Sequence, residues 1–295
     1  MKESKTISQA LQEGKERLKA AGKDNYVFEA ELLMMDICSL SRVGLFTQGE
    51  EGISPQQAKR YESYLSQREG NRPLQYILGQ CEFMGLPFFV GEGVLIPRSD
   101  TEVLVEGILE VSKQEKIDKI MDVGTGSGCI PICLAHYGKM EAYGVDISPK
   151  ALDFAKKNGE NNKVNVRWIE SDLFSAIPDD LKGTFDAIVS NPPYIAKEVI
   201  EGLMPEVRDF EPRNALDGGE DGLDFYRSII ADSRHWLRDG GWLFFEIGYD
   251  QGQALLSLME EAGFCKCMLQ QDLAGLDRVV FGKLEREFLM RCNHV

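Results

Sequence analysis

Four consecutive residues, Asn191, Pro192, Pro193 and Tyr194, carry the most specific chemistry in the chain. They follow the apolar run Ile188-Val189-Ser190, and a proline has no N–H to give to a ladder, so Pro192 and Pro193 must end a strand there. An abrupt strand end leaves the Asn191 side-chain oxygen and the Pro192 carbonyl as two neighbouring acceptors. A planar NH₂ group has two N–H donors, so two fixed acceptors would hold it in one orientation with its nitrogen face turned toward an electrophile. Tyr194 is expected to offer a flat face to the same planar group. An ordinary loop with two prolines leaves this combination without a reason.

A second constellation starts at Asp122-Val123 and continues as Gly124, Thr125, Gly126, Ser127 and Gly128, an apolar strand running into a glycine loop and then a small-residue helix. Gly124 and Gly126 permit a tight turn and close approach of a ligand, and the helix N-terminus presents unpaired N–H groups. The pattern would serve a dinucleotide too, although Cys129 stands where that fingerprint takes its third Gly or Ala. Asp146 ends the next strand about twenty residues on, where a carboxylate can accept both hydroxyls of a ribose. Ser148-Pro149 restarts a helix, so capping is the competing use of Asp146 or Ser148. Asp172, with Leu173 after it, closes a third strand where it can accept from an adenine amino group, or stand as an exposed loop acid.

These groups need a scaffold, and the apolar spacing supplies one. Candidate strands fall at residues 119–123, 141–147, 165–170, 185–190 and 242–247, separated by helix-length segments, which predicts a doubly wound, mainly parallel α/β sheet. Two more, 266–270 and 278–282, are joined by Asp272-Leu273-Ala274-Gly275, too short for a parallel crossover, and so form an antiparallel pair. Ahead of the sheet, residues 6–70 have helical spacing. Asp24 or Asn25 can cap one helix, and Ser54-Pro55-Gln56-Gln57 supplies an N-cap, a first-turn proline and a capping-box glutamine for another. Three to five helices of ordinary length fit the segment. Residues 81–90 are aromatic and β-prone around Gly85 and Pro87 and read as a β-hairpin.

Charge excludes one class of function. Lys and Arg number 33 against 48 Asp and Glu, a net charge of −15. Up to Val90 the balance is 11 to 12, so −14 of the total falls on the later residues. Such a surface argues against nucleic-acid binding through phosphate contacts. Seven cysteines in unpaired spacing, Cys38, Cys81, Cys129, Cys133, Cys265, Cys267 and Cys292, read as reduced thiols, and with only His136, His235 and His294 to help, no zinc spacing emerges. Cys265 and Cys267 have the offset of two residues on one strand face. The amino-terminal residues lack the apolar core of a leader and no apolar run is long enough to cross a bilayer, so a cytoplasmic location is expected.

The glycine loop, the acid after the second strand and Asn-Pro-Pro-Tyr after the fourth resemble class I S-adenosylmethionine-dependent methyltransferases acting on planar nitrogens. More of the chain is similar to one branch, the release-factor glutamine (N5) methyltransferases. The matching stretches are Arg72-Pro73-Leu74-Gln75-Tyr76-Ile77, Leu95-Ile96-Pro97-Arg98-Ser99-Asp100-Thr101-Glu102, residues 122–128, residues 190–195, Glu211-Pro212 and Ala215-Leu216-Asp217-Gly218-Gly219-Glu220-Asp221-Gly222-Leu223. The resemblance implies a Rossmann-like seven-stranded sheet at residues 98–295, a helical substrate-recognition domain at 1–78 and a hairpin linker at 79–97. It implies methylation of the glutamine amide in the Gly-Gly-Gln motif of peptide chain release factors, with S-adenosylhomocysteine as product and no nucleic-acid or membrane partner. Asn191, Pro192 and Tyr194 would be catalytic, Pro193 would join them on the substrate, and Gly124 to Gly128, Asp146, Asp172, Leu173 and Asn191 would hold the cofactor. Ser99 stands where the family more often has proline; Ser99-x-x-Glu102 is itself a capping box that can start the same helix. Arg98 is expected to pair with nearby carboxylates, with contact to substrate or cofactor as its competing use, and residues 217–224 read as a glycine-rich surface turn without an assigned catalytic role.

Three other functions use parts of this pattern. An adenine-N6 methyltransferase of DNA or RNA presents the same donor pair to Asn-Pro-Pro-Tyr, but the acidic later region would repel its substrate. A nicotinamide-dependent oxidoreductase uses the glycine loop and leaves residues 191–194 idle. A non-catalytic cofactor-sensing module keeps both motifs and transfers no methyl group.

Overall fold

The computed structural model describes residues 5–285; Cys292 and His294 lie outside the described residues. They divide into a helical unit, residues 5–79 with Met204–Phe210, and an α/β unit, Gln80–Leu203 with the described residues from Glu211 onward.

The helical unit holds α1 (Ile7–Ala20), α2 (Tyr26–Cys38), α3 (Arg42–Thr47), α4 (Pro55–Glu69) and α5 (Leu74–Leu78). Both α1 and α4 start with complete capping boxes, Thr6 with Gln9 and Ser54 with Gln57. Asn25 occupies the N-cap of α2, but its side chain makes no capping bond. Leu18, Ala30, Leu33 and Met34 form a core from which water is fully excluded. A buried ion pair crosses this core. The Arg68 guanidinium donates to both oxygens of Glu29 at 2.7 and 2.9 Å, and its Nη1 lies 2.7 Å from Glu206, which ties Met204–Phe210 to this unit. Bidentate geometry offsets the desolvation of both charges, and truncating either partner would cost about 3–5 kcal/mol.

The α/β unit opens with the hairpin β1 (Gln80–Phe83) and β2 (Leu86–Phe89). Met84 and Gly85 connect them, both with positive φ, as a two-residue turn matched to strand twist requires. There follow α6 (Asp100–Val111), β3 (Lys119–Val123), α7 (Cys129–Tyr137), β4 (Glu141–Asp146), α8 (Pro149–Asn161), β5 (Val166–Glu170) and β6 (Phe185–Ser190). After the single turn α9 (Lys197–Ile200), and after α10 (Pro205–Arg208), which belongs to the helical unit, come α11 (Asp224–Trp236), β7 (Leu237–Glu246), α12 (Gly252–Glu261), β8 (Phe264–Gln271) and β9 (Asp277–Leu284). The capping box expected at Ser99 does not form. Ser99 is helical and its side chain caps nothing, while Glu102 Oε1 accepts from the Met84 N–H at 2.6 Å. A hairpin donor from outside the helix takes the glutamate.

The sheet order is β5-β4-β3-β6-β7-β9-β8, with β3 to β7 parallel and β9 antiparallel to both its neighbours. Alternate residues serve opposite faces. Ile120, Ala142, Ala187, Val189, Trp242, Phe244 and Phe281 pack with α6 and α7, whereas Met121, Val145, Ile188, Leu243, Phe245 and Val280 pack with α11 and α12. Burial on both faces explains why these strands are continuous apolar runs. Strand β7 begins five residues before the expected position, because Leu237 already pairs with Phe185 before a register shift around Gly240 and Gly241. The chain order reverses between β3 and β6, so the loops after these strands diverge and open a crevice at their carboxyl ends.

Candidate active site

The loop after β3 is held by backbone geometry. Gly126 and Gly128 have φ of 55° and 79°, values that side chains rarely adopt. A Cβ on Gly126 would meet nothing nearer than 4.0 Å, whereas one on Gly128 would lie 2.7 Å from Trp168. The two glycines therefore differ in purpose: Gly126 leaves open space and Gly128 permits close packing. The N–H groups of Gly124 and Thr125 donate to the Val145 carbonyl at 2.8 and 2.9 Å. Asp146 completes the arrangement, its Oδ2 accepting from the Gly126 N–H and its Oδ1 from the Ser148 N–H, both at 2.8 Å. Capping of α8 falls to Ser148, whose Oγ accepts from the Ala151 N–H. Each Asp146 oxygen keeps further acceptor capacity, enough for two vicinal hydroxyls. Burial raises the Asp146 pKa, opposed by its backbone hydrogen bonds.

The second half of the site follows β6. The Ser190 hydroxyl donates to the Val123 carbonyl at 2.6 Å and fixes the end of β6 against β3. Asn191 Nδ2 donates to Thr101 Oγ1 at 3.2 Å. Neither Asn191 Oδ1 nor the Pro192 carbonyl accepts a hydrogen bond from any described residue. Gly124, Thr125, Gly126, Ser127, Asp146, Asp172, Leu173, Asn191, Pro192 and Pro193 share the wall of one cavity of about 280 Å³, with Arg98 and Thr101. Two expected residues are elsewhere. Gly128 packs on Trp168 instead of the cavity, and Tyr194 lies outside the cavity wall, packed against the core that α11 and α12 cover. Burial pushes the Tyr194 hydroxyl up to about 12, with the Glu246 charge reinforcing it.

Residues 217–222, with Leu216 before them, are more than a surface turn. They brace the backbone of residues 193–195: Ile195 N–H donates to the Leu216 carbonyl at 3.0 Å, and Gly218 N–H returns the bond to the Ile195 carbonyl at 2.9 Å. A Cβ on Gly218 would come within 2.8 Å of the Pro193 carbonyl oxygen, and one on Gly222 would run into the Tyr194 carbonyl. Gln251 Nε2 donates to that same carbonyl at 3.0 Å. Arg98 pairs with buried Glu211 at 2.5 Å, as its expected role required.

Residues 9–79 match the family described as PrmC N-terminal domain, and residues 99–205 match the methyltransferase small domain. A release factor glutamine methyltransferase of Geobacter sulfurreducens is 41% identical over 280 residues, covering 95% of this chain and 97% of that protein. One of Moorella thermoacetica is 43% identical over 278 residues, covering 92% and 96%. The chain belongs to the release factor glutamine methyltransferase family. It is a methyltransferase, which removes the oxidoreductase alternative. A crystal structure of a methyltransferase from Pyrococcus furiosus shares the fold, with a TM-score of 0.50 at 16% identity over 69% of this chain and 91% of that one.

For a methyltransferase of this family, three features of the site are absent from the sequence argument. Thr101 contributes a hydroxyl behind Asn191, and Glu246 lies almost fully buried at the end of β7. A lone acid terminating the apolar run Trp242-Leu243-Phe244-Phe245 was the available signal for Glu246, because β7 pairs in parallel with β6 and both strands end on the same side of the sheet. The glycines at 218 and 222 were visible, but their target was not.

Proposed function

We propose that the protein transfers the methyl group of S-adenosylmethionine to the side-chain amide nitrogen of the glutamine in the Gly-Gly-Gln motif of peptide chain release factors, releasing S-adenosylhomocysteine. The observation that carries this reading is the pair of unengaged acceptors, Asn191 Oδ1 and the Pro192 carbonyl, set in the same cavity as Asp146 and the glycine loop. The names of the relatives support the choice of acceptor protein.

The residues present fit the cofactor. Open space beside Gly124 and Gly126 admits a ligand close to the backbone, Asp146 retains acceptor capacity for ribose hydroxyls, and Asp172 and Leu173 line the cavity where a base would lie. When bound, the cofactor supplies an electrophilic methyl group on a positively charged sulfur. The −14 charge of residues beyond Val90 favours that cation over an anionic polymer and supports a protein glutamine over a nucleic-acid adenine.

An amide nitrogen is a weak nucleophile because its lone pair is delocalised into the carbonyl. Asn191 Oδ1 and the Pro192 carbonyl each accept one N–H of the glutamine amide, which fixes its plane and turns the nitrogen face toward the methyl group. Positive charge develops on that NH₂ group as the sulfur–methyl bond breaks and the nitrogen–methyl bond forms, so both hydrogen bonds strengthen on the way to the transition state, and the methylated nitrogen then releases one N–H proton to water. Positioning of this kind contributes about 7–11 kcal/mol. Pro192 and Pro193 have no N–H that could compete for either acceptor.

The same reading assigns recognition of the release factor to residues 1–78, the linking role to residues 79–97 and transfer to residues 98–295, in the cytoplasm, where release factors work. No helix among the described residues is long and apolar enough to cross a membrane. The deciding experiment supplies methyl-labelled cofactor with a release factor, the same factor with its Gly-Gly-Gln glutamine replaced, and DNA. Label is expected on the unmodified factor alone. Label on DNA, none on the factor, or label persisting on the glutamine-replaced factor would overturn the assignment.

A further inference from the structure

An asparagine amide is nearly symmetric in shape, and rotating it by about 180° exchanges its oxygen acceptor for two N–H donors. A turned Asn191 would present donors to a substrate NH₂ group that itself only donates, so its orientation must be set from behind. We propose that Glu246, acting through Thr101 and on Asn191 directly, is the positioning residue that holds Asn191 Oδ1 toward the acceptor nitrogen. This inference rests on the function proposed above.

Sheet register brings the two residues together. Ser190 pairs with Phe245 in parallel strands β6 and β7, so Asn191 and Glu246 leave neighbouring strands side by side. Thr101, in the first turn of α6 and 2% exposed, closes the triangle. Its hydroxyl accepts from Asn191 Nδ2 at 3.2 Å, and its own proton then needs an acceptor. Glu246, 1% exposed and brought beside Asn191 by that register, is the group placed to accept it, and the electrostatic influence of Thr101 and Asn191 lowers its pKa against the effect of burial. An ionised carboxylate can only accept. It therefore selects the N–H end of Asn191 and the O–H direction of Thr101, and the Asn191 oxygen is left facing the cavity that Asn191 and Thr101 both line. Glu246 itself lies outside that cavity wall, so it acts through these two side chains.

The surroundings make the charge state of Glu246 adjustable. Burial pushes its carboxyl up to about 7, opposed by Thr101, by the Arg278 charge and by Asn191, and reinforced by Asp100. Every packed element contributes a group: Asp100 and Thr101 from α6, Asn191 and Tyr194 after β6, Tyr226 from α11 and Arg278 from β9. The Tyr226 hydroxyl donates to the Glu246 backbone carbonyl at 2.8 Å. Arg278 is shared with Asp100 at 3.2 Å and Asp272 at 3.0 Å, so it does not neutralise Glu246 alone. One Glu246 oxygen, Oε2, is buried without a hydrogen-bond partner. Protonated, Glu246 gains a donor that can turn either neighbour.

Two substitutions of matching shape test the idea on the full chain with a release factor as acceptor. Glu246→Gln and Thr101→Val should each lower kcat by about 10²-fold, the scale expected for a misplaced reacting group, with cofactor affinity unchanged. Thr101→Ser should recover most of the rate lost in Thr101→Val. In the unsubstituted protein kcat should fall below a midpoint near 7, and that limb should be absent in Glu246→Gln. Undiminished kcat in both variants, or a limb that survives Glu246→Gln, would overturn the proposal. A second readout needs no acceptor: the Asn191 side-chain NH₂ resonances, identified by their loss in Asn191→Ala, should titrate in the unsubstituted protein and not in Glu246→Gln. If they do not titrate, Glu246 does not orient Asn191. If they titrate while the unsubstituted protein labels no release factor, the positioning holds and the assigned acceptor fails.

Discussion

At the glycine-loop end of the cavity, Gly126, Asp146 and Ser148 satisfy one another within about twenty residues of chain, and the bonds are made largely by backbone N–H groups. At the Asn191 end, the supporting groups come from Thr101 on α6, Glu246 on β7, Arg278 on β9 and the brace at residues 217–222. The first end is a local motif whose conformation follows from positive φ and one carboxylate. The second is an assembly of distant parts that leaves two acceptors deliberately unengaged. A binding site for a common cofactor can be written into a short stretch of backbone, whereas orienting a weak nucleophile takes side chains locked by several elements.

Substitutions at the two ends should separate accordingly. The largest effect is expected for Asn191→Ala, which removes one of the two acceptors and should lower kcat by about 10³-fold while cofactor affinity, read by calorimetry, stays close to the starting value. Parallel loss of cofactor binding would erase the distinction between the ends. Next is Gly222→Ala: the φ of 76° and the collision with the Tyr194 carbonyl should shift residues 192–194 and lower kcat by about 10²-fold, again without weakening the cofactor. A variant with normal turnover would show that the brace is dispensable.

Asp146→Asn should behave in the opposite way. It keeps the shape but weakens charge-assisted hydrogen bonds to the ribose and to two backbone N–H groups, so the cofactor Kd should rise about 10-fold, with little change in kcat at saturation. A fall in kcat with Kd unchanged would place Asp146 at the wrong end.

The smallest effect concerns stability. Burial raises Glu246 from its ordinary 4.5 to about 7, so between these values the folded protein holds a proton that the unfolded chain has released. The stabilisation is complete below 4.5 and lost as pH rises through about 7. Glu246→Gln should therefore flatten this part of the Tm-versus-pH curve, by a few °C for a chain of this size. Asp122, also raised to about 7 by burial, should keep its own share of the slope in that variant. An unaltered curve for Glu246→Gln would mean that Glu246 is ionised at the same pH in both states.

Much of the architecture was legible because both faces of the sheet are buried. Residues 119–123 and 185–190 are strands at the expected bounds, and the short link at Asp272 to Gly275 required the antiparallel pair that β8 and β9 form. The lead-in of β7 was not, because Gly240 and Gly241 read as a break although the chain pairs on both sides of them. Ser99-x-x-Glu102 failed for a related reason: a capping box is a local option, and the hairpin N–H of Met84 competed for Glu102 from eighteen residues away. Tyr194 was given a stacking role from its neighbours in sequence, but its ring lies outside the cavity wall and packs, partly buried, against the core that α11 and α12 cover.

From the order of residues alone came the elements, the glycine loop with its acid, and the proposal that Asn191 and Pro192 form an acceptor pair, since each depends on φ preferences, missing N–H groups or a period of two. The direction in which Asn191 points, the burial of Glu246 and the target of Gly218 and Gly222 were decided only when strands β6 and β7 came into register and α6 closed over their ends. Backbone conformation is a local property of the chain. The orientation of an amide depends on which partners surround it, and those partners become neighbours only in the folded protein.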